Sequence, residues 1–150
     1  MNRTPEAEAF TELVLSVFRF WSSLHRHGRA ITKPFDQTPA SWQVLGGIWE
    51  AARTVPQIAR SMGLTRQSVQ RVADSLVGHK LASYLENPDH KRSPRVGLTE
   101  RGLELIEAID REQMRWSNRI AAGLELKDLR AALRTVGRLT TVLDESELPG

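Results

Sequence analysis

The stretch TVPQIARSMGLTRQSVQRVADSLVGHKL, residues Thr54 to Leu81, reads as two short helices joined by a tight turn. Thr54 followed three residues later by Gln57 has the spacing of a capping box, and Pro56 falls in the first turn, where its missing N–H costs nothing. Ile58, Ala59 and Met62 recur at helical spacing and predict the inner face of the first helix. Gly63 supplies the backbone freedom a turn demands, Leu64 plugs the corner, and Thr65 is placed to cap the second helix. Val69, Val72, Ala73 and Leu76 line that helix inwardly. The pattern predicts a helix-turn-helix.

The outward residues of the second helix point to its chemistry. A helix in the DNA major groove needs donors and acceptors that match base edges or phosphates, and Thr65, Arg66, Gln67, Ser68, Gln70 and Arg71 supply them. A polar face can also be merely solvated. Here, however, no acidic residue interrupts it before Asp74.

Charge distribution supports the same reading. Between Arg53 and Arg95 there are eight Lys and Arg (53, 60, 66, 71, 80, 91, 92, 95) against three Asp and Glu (74, 86, 89), a net of +5, although the whole chain carries only +3. Positive charge gathered on one segment is what a phosphate-binding surface requires. With 150 residues, of which 40% are hydrophobic, the chain is long enough for one domain with a core. It contains no cysteine, which excludes disulfides, thiolate metal sites and thiol-based redox sensing. The opening MNRTPEAEAF is acidic where a signal peptide would be basic and then apolar, so the expected location is the cytoplasm.

Outward from the helix-turn-helix, residues 6 to 27 place Phe10, Leu13, Val14, Val17, Phe18, Trp21 and Leu24 at intervals of three and four, predicting a long amphipathic helix. Residues 28 to 39 read as a loop. Thr38 and Pro39 then start a helix expected from Ala40 to about Ala52, with Trp42, Leu45, Ile48 and Trp49 facing inward. Gly46 and Gly47 weaken it, or permit close packing. After the helix-turn-helix, Tyr84–Leu85 and Val96–Leu98 flank a polar Asn-Pro-Asp turn carrying Lys91, Arg92 and Arg95, which predicts a hairpin with a basic tip. Such a tip can be an ordinary solubilising turn, but its place directly after a recognition-type helix favours contact with DNA. Thr99 and Glu100 cap a helix expected over residues 100 to 123, and a last helix over 127 to 144 repeats Leu126, Leu129, Leu133, Val136 and Leu143 near heptad spacing. The acidic tail is expected to fray.

This order of elements resembles the MarR family of bacterial winged-helix transcriptional regulators over essentially the whole chain. The likeness rests on IARSMGLTRQSVQRVADSL (58 to 76), NPDHKR (87 to 92) and VGLTERG (96 to 102). Three positions depart from the family pattern. His90 stands where an aspartate usually precedes the wing arginine by two residues, Lys80 replaces a usual glycine, and Pro94 lies in the second wing strand.

The resemblance implies a mainly α fold with a small β-hairpin wing, in which a winged helix-turn-helix (38–99) is flanked by long N- and C-terminal dimerisation helices (6–30 and 100–145) in one domain. It implies a homodimer that binds a pseudo-palindromic operator in double-stranded DNA and represses transcription. The implied DNA contacts are Thr65, Arg66, Gln67, Ser68, Gln70, Arg71, Lys91, Arg92 and Arg95. Phe10, Val14, Leu129, Leu133 and Val136 are the expected dimer-interface residues. The family's effector pocket, often for aromatic compounds, is assigned to Trp21, His25, Trp42 and Trp116, although Trp42 and Trp49 read first as core fillers. No cofactor and no membrane partner is implied. His25 and His27, two apart, point to different sides of a helix and have no evident partners for a metal. A rival reading is a winged-helix module that binds another protein and no DNA; it requires an apolar or acidic outer face on the second helix. Catalysis has no assembled nucleophile, phosphate loop or metal cluster to rest on.

Overall fold

The computed structural model describes residues 2–146, so most of the acidic tail lies outside the described residues. Residues up to Glu112 form one compact unit and those from Gln113 onward a second, with the boundary inside a helix.

In the first unit, helix α1 spans Pro5–Thr32, with Thr4 as N-cap and Pro5 at its first position. It runs well past the expected end. Gly28, Ile31 and Thr32 are buried, and Thr32 is sealed by a 2.9 Å bond from its hydroxyl to the Gly28 carbonyl. Tertiary contact with the next helix thus carries α1 through sequence that reads as a loop. A single 3-10 turn, Lys33–Phe35, follows, and Asp36 takes a left-handed conformation. Helix α2, Pro39–Gly47, opens with a capping box in which the Thr38 and Ser41 side chains satisfy each other's backbone N–H groups.

Helix α2 ends five residues earlier than the pattern predicts, and Trp49, expected inside, is exposed. Gly47 explains part of this geometry. A Cβ there would sit 3.3 Å from side-chain atoms of both Ile58 and Met62, so the missing side chain lets the following helix approach α2 closely.

Strand β1, Arg53–Thr54, and helix α3, Val55–Met62, come next. The Thr54–Gln57 capping box is formed as the spacing predicts: the Gln57 side-chain oxygen accepts from the Thr54 N–H at 2.9 Å. Gly63 ends α3 at φ +63°, a conformation glycine adopts without penalty. Helix α4, Arg66–Gly78, is capped by Thr65. Strands β2, Ala82–Leu85, and β3, Arg95–Leu98, form the antiparallel hairpin. The sheet order is β1-β3-β2, with Tyr84 opposite Val96 and Thr54 opposite Arg95. Pro94 cannot donate to a ladder, and β3 begins immediately after it. The third strand was not predicted: two residues carry no period, and only their partners in β3 define them.

Helix α5, Glu100–Ala121, begins at Thr99, whose hydroxyl accepts from the Gly102 N–H and donates to the Lys80 carbonyl. The core joins Val44, Leu45 and Ile48 of the α2 region to Ile58, Val69, Ala73, Leu76, Val96 and Ile106, all essentially inaccessible to solvent. Burying a side chain of this size contributes about 1.5–3 kcal/mol. The core therefore fixes α3 and α4 firmly against α2 and the hairpin.

In the second unit, α5 runs out at Ala121 and helix α6 spans Leu126–Glu145. None of its described residues is buried.

Candidate nucleic-acid interface

The N-terminus of α4 is built by local bonds. The Thr65 hydroxyl accepts from the Ser68 N–H at 3.1 Å, and the Ser68 hydroxyl donates to the Thr65 carbonyl at 2.9 Å. Thr65 and Ser68 thus hold the helix end. The first turn contains no acidic residue and begins with Arg66. Acidic groups normally stabilise this end against the helix dipole, so an arginine there gives up local stability, and an anion docked at the turn restores it.

Across from this turn stands the wing. Its tip is shaped by Asn87, whose side chain donates to the Ser93 carbonyl at 2.9 Å and accepts from the Asp89 N–H at 3.3 Å. Lys91 and Arg92 are exposed on it. Between α4 and the wing lies an open groove of about 380 Å³, whose polar lining is Arg66, Gln67 and Gln70 of α4, Tyr84 of β2, and Arg92 and Ser93 of the wing, with Val55, Pro56 and Pro94 as its apolar part. Residues of α4 and of the wing, distant in sequence, are thereby brought to one surface. Among the described residues no side-chain hydrogen bond engages Arg66, Gln67 or Arg92, which leaves their donors and acceptors available to a ligand.

Two residues expected on this surface are placed differently, and a third is engaged within it. Arg71 lines a second cavity of about 690 Å³, together with Ser75, His79, Arg101 and Glu104. Arg95 is half-buried at the base of the wing: its Nη2 donates to the Glu86 carbonyl at 3.2 Å, and its Nε is buried without a partner. It braces the hairpin. Gln70 lines the groove, but its side-chain amide donates to Asp74 at 3.0 Å and to the Tyr84 hydroxyl at 2.7 Å. The Tyr84 hydroxyl in turn donates to the same Asp74 oxygen at 2.5 Å. Burial pushes the Tyr84 hydroxyl up to about 12, with the hydrogen bond and charge of Asp74 adding to the shift, so the phenol stays protonated and remains a donor. Sequence reading missed Tyr84 and Asp74. The i, i+4 spacing of Gln70 and Asp74 signals a pair, but nothing local brings in a tyrosine from the wing.

The residues assigned to an effector pocket are Trp21, His25, Trp42 and Trp116. Trp21 and His25 form a tilted ring pair, 6.2 Å between centroids, with Trp21 exposed. Trp42 packs against the winged core, and Trp116 belongs to the second unit. The 690 Å³ cavity is walled by polar and charged groups, with Phe35, Val72, Leu76, Leu81 and Leu105 as its apolar lining. Of the expected dimer residues, Phe10, Leu129, Leu133 and Val136 are exposed and Val14 is half-buried. Among the described residues, no helix is long and apolar enough to cross a membrane, and no three His, Asp or Glu side chains converge as metal ligands.

The model of the MarR family matches residues 35–93, which hold α2, the helix-turn-helix and most of the wing. An uncharacterized protein of Mycobacterium tuberculosis is 37% identical over 137 residues, covering 91% of this chain and 96% of that protein. Among solved structures, a MarR family transcription regulator superposes with a TM-score of 0.80 at 23% identity, covering 93% of each chain. S. aureus MepR in its DNA complex gives 0.74 at 19% identity, covering 85% of this chain and 96% of that one. At these identities the structural matches establish the fold, a winged helix with flanking helices. With the family model seated on the helix-turn-helix and a relative spanning nearly the whole chain, this protein belongs to the MarR family of transcription regulators.

Proposed function

We propose that the protein is a cytoplasmic, sequence-specific reader of double-stranded DNA that acts as a homodimeric, ligand-responsive repressor. The observation that carries this reading is the groove in which Arg66 and Gln67 of α4 face Arg92 of the wing. Arg and Gln are the side chains whose forked donors and acceptors match guanine and adenine edges, and exposed arginine and lysine at a hairpin tip suit phosphates. The arginines and glutamines of this face favour DNA over the protein-binding alternative, which calls for an apolar or acidic outer face on α4. The shared fold of the MepR–DNA complex supports the same assignment.

The homodimer is supported by two unburied apolar stripes, Phe10 to Trp21 on α1 and Leu126 to Leu143 on α6. Stripes of this extent on the surface of a single chain mark an interface. A dimer that reads two half-sites one helical turn apart places its recognition helices about 34 Å apart. Effector control needs a ligand that binds the off-DNA conformation better, which by linkage weakens operator affinity. The 690 Å³ cavity has the size of a small-molecule site and includes Arg71 of α4, so an occupant bears directly on the recognition helix.

The test is selection of source-genome fragments by purified protein at near-physiological salt, followed by sequencing. Enrichment of a pseudo-palindrome with half-sites one turn apart is the expected result. If protein refolded without any small molecule enriches nothing above bulk DNA, the operator-reading assignment is wrong.

A further inference from the structure

The ring formed by Gln70, Asp74 and Tyr84 has no place in a simple scheme in which every polar residue of α4 faces DNA. Gln70 Nε2 donates to Asp74 Oδ1 at 3.0 Å and to the Tyr84 hydroxyl at 2.7 Å, so the amide nitrogen is turned toward both. The Tyr84 hydrogen goes to Asp74 Oδ1, which closes the ring. The amide cannot be turned over, because its oxygen would then face the carboxylate. Reading adenine requires a glutamine to donate to N7 and accept from N6 at once, whereas the Gln70 amide nitrogen is held toward Asp74 and Tyr84. The two partners on α4 are one turn apart, whereas Tyr84 belongs to β2, so the ring ties the wing to the recognition helix. Tyr84 is also a wall of the groove that separates Arg66 and Gln67 from Arg92.

The geometry points to Tyr84 and Asp74 as positioning residues that fix the distance between the wing arginine Arg92 and the reading face of α4, with Gln70 serving in this ring and not as a base reader. This inference rests on the DNA-reading function proposed above. It also gives a reason for an acidic residue on the outer face of α4, a surface suited to phosphates. Asp74 costs some electrostatic attraction, and it repays that by accepting two hydrogen bonds that hold the groove at its width.

The test uses the full-length protein and the operator selected from the genome. Tyr84→Phe keeps the ring stack and removes the hydroxyl. It should weaken operator binding roughly tenfold, the weight of one hydrogen bond to a charged group. Asp74→Ala separates the two accounts by sign. Simple charge repulsion predicts tighter binding when the carboxylate is removed, whereas the ring predicts a loss similar to that of Tyr84→Phe. The double variant should be no worse than either single one, and Asp74→Asn, which keeps an acceptor oxygen, should restore binding. In the Tyr84→Phe background, Arg92→Ala should cost less than in the wild type, because the arginine is no longer held in place. Gln70→Ala should lower affinity evenly over all operator variants.

A readout independent of DNA is available because Tyr84 is the only tyrosine. Phenolate absorbance follows it alone, and its midpoint should fall toward the ordinary range in Asp74→Ala. Wild-type affinity in Tyr84→Phe, tighter binding in Asp74→Ala, or a Gln70→Ala loss confined to one base pair would each overturn the positioning role. A wild-type protein that selects no operator would instead remove the DNA-reading function, and the positioning role with it, even with the phenolate midpoint shifted as expected.

Discussion

Gly102 is the third residue of α5, and the space around it predicts a large effect from the smallest substitution. A Cβ built on it would lie 1.9 Å from the Leu81 carbonyl oxygen, 2.9 Å from the Leu81 carbonyl carbon and 3.2 Å from a Leu98 methyl. Carbon and oxygen in contact sit about 3.3 Å apart, so Gly102→Ala requires a displacement of about 1.4 Å. The obstacle is backbone and is itself held: Leu81 donates its N–H to Leu76 and accepts from Thr99. Moving α5 away breaks the Thr99 bonds to Lys80 and Leu81 and loosens Ile106 and Ile109 from the core. Overpacking against adaptable side chains costs about 1–3 kcal/mol, and a fixed carbonyl puts this case at or above the top of that range. For a chain of this length, about 3 kcal/mol lowers the thermal midpoint by roughly 6–12 °C. Thermal unfolding followed by circular dichroism, at one protein concentration for all variants, measures it. Gly46→Ala is the control: nothing lies within 4 Å of its Cβ position in α2, and the change should stabilise by about 0.5–1 kcal/mol. A Gly102→Ala midpoint within 2 °C of wild type, taken as roughly the resolution of such a comparison, would show that α5 slides freely over the α4–β2 turn. The account of that corner as rigid would then be wrong.

Other predictions concern the turn, the wing, the dimer and alkaline pH. Lys80 holds φ +60° just after α4, where glycine carries no steric cost, so Lys80→Gly should stabilise by about 0.5–1 kcal/mol in the same melts; a destabilised variant would refute the strain. Arg92→Ala should weaken operator binding and reduce the slope of log affinity against log salt by about 1, and an unchanged slope would remove the wing from phosphate contact. Leu133, 73% exposed on α6, should dissociate the dimer when changed to Glu; a dimer persisting in light scattering at micromolar protein would place the interface elsewhere. The fold raises the Tyr84 hydroxyl to about 12, so the stability it contributes is full below about pH 10 and is lost as pH rises through 12. Tyr84→Phe should therefore show a weaker loss of stability than wild type over that window in denaturant titrations, and identical profiles would contradict the shift.

What the sequence determined on its own is local. The Thr38 N-cap, the capping box at Thr54, the left-handed Gly63, the Thr65 cap and the inward stripe of α4 depend on near neighbours in sequence, and all formed as the spacing predicts. The helix-turn-helix was legible for that reason, and so was the grouping of positive charge on the wing and α4. Tertiary structure decided the rest. It extended α1 to Thr32 by burying Gly28 and Ile31, stopped α2 at Gly47, and made a strand of Arg53 and Thr54 by pairing them with β3. It also decided which polar residues have donors to spare. Arg66, Gln67, Gln70 and Arg95 look alike in sequence, yet Gln70 is closed into a ring with Tyr84 and Arg95 is folded onto Glu86. Hydrogen-bond partners from distant parts of the chain set those outcomes, and no local spacing encodes where such partners will be.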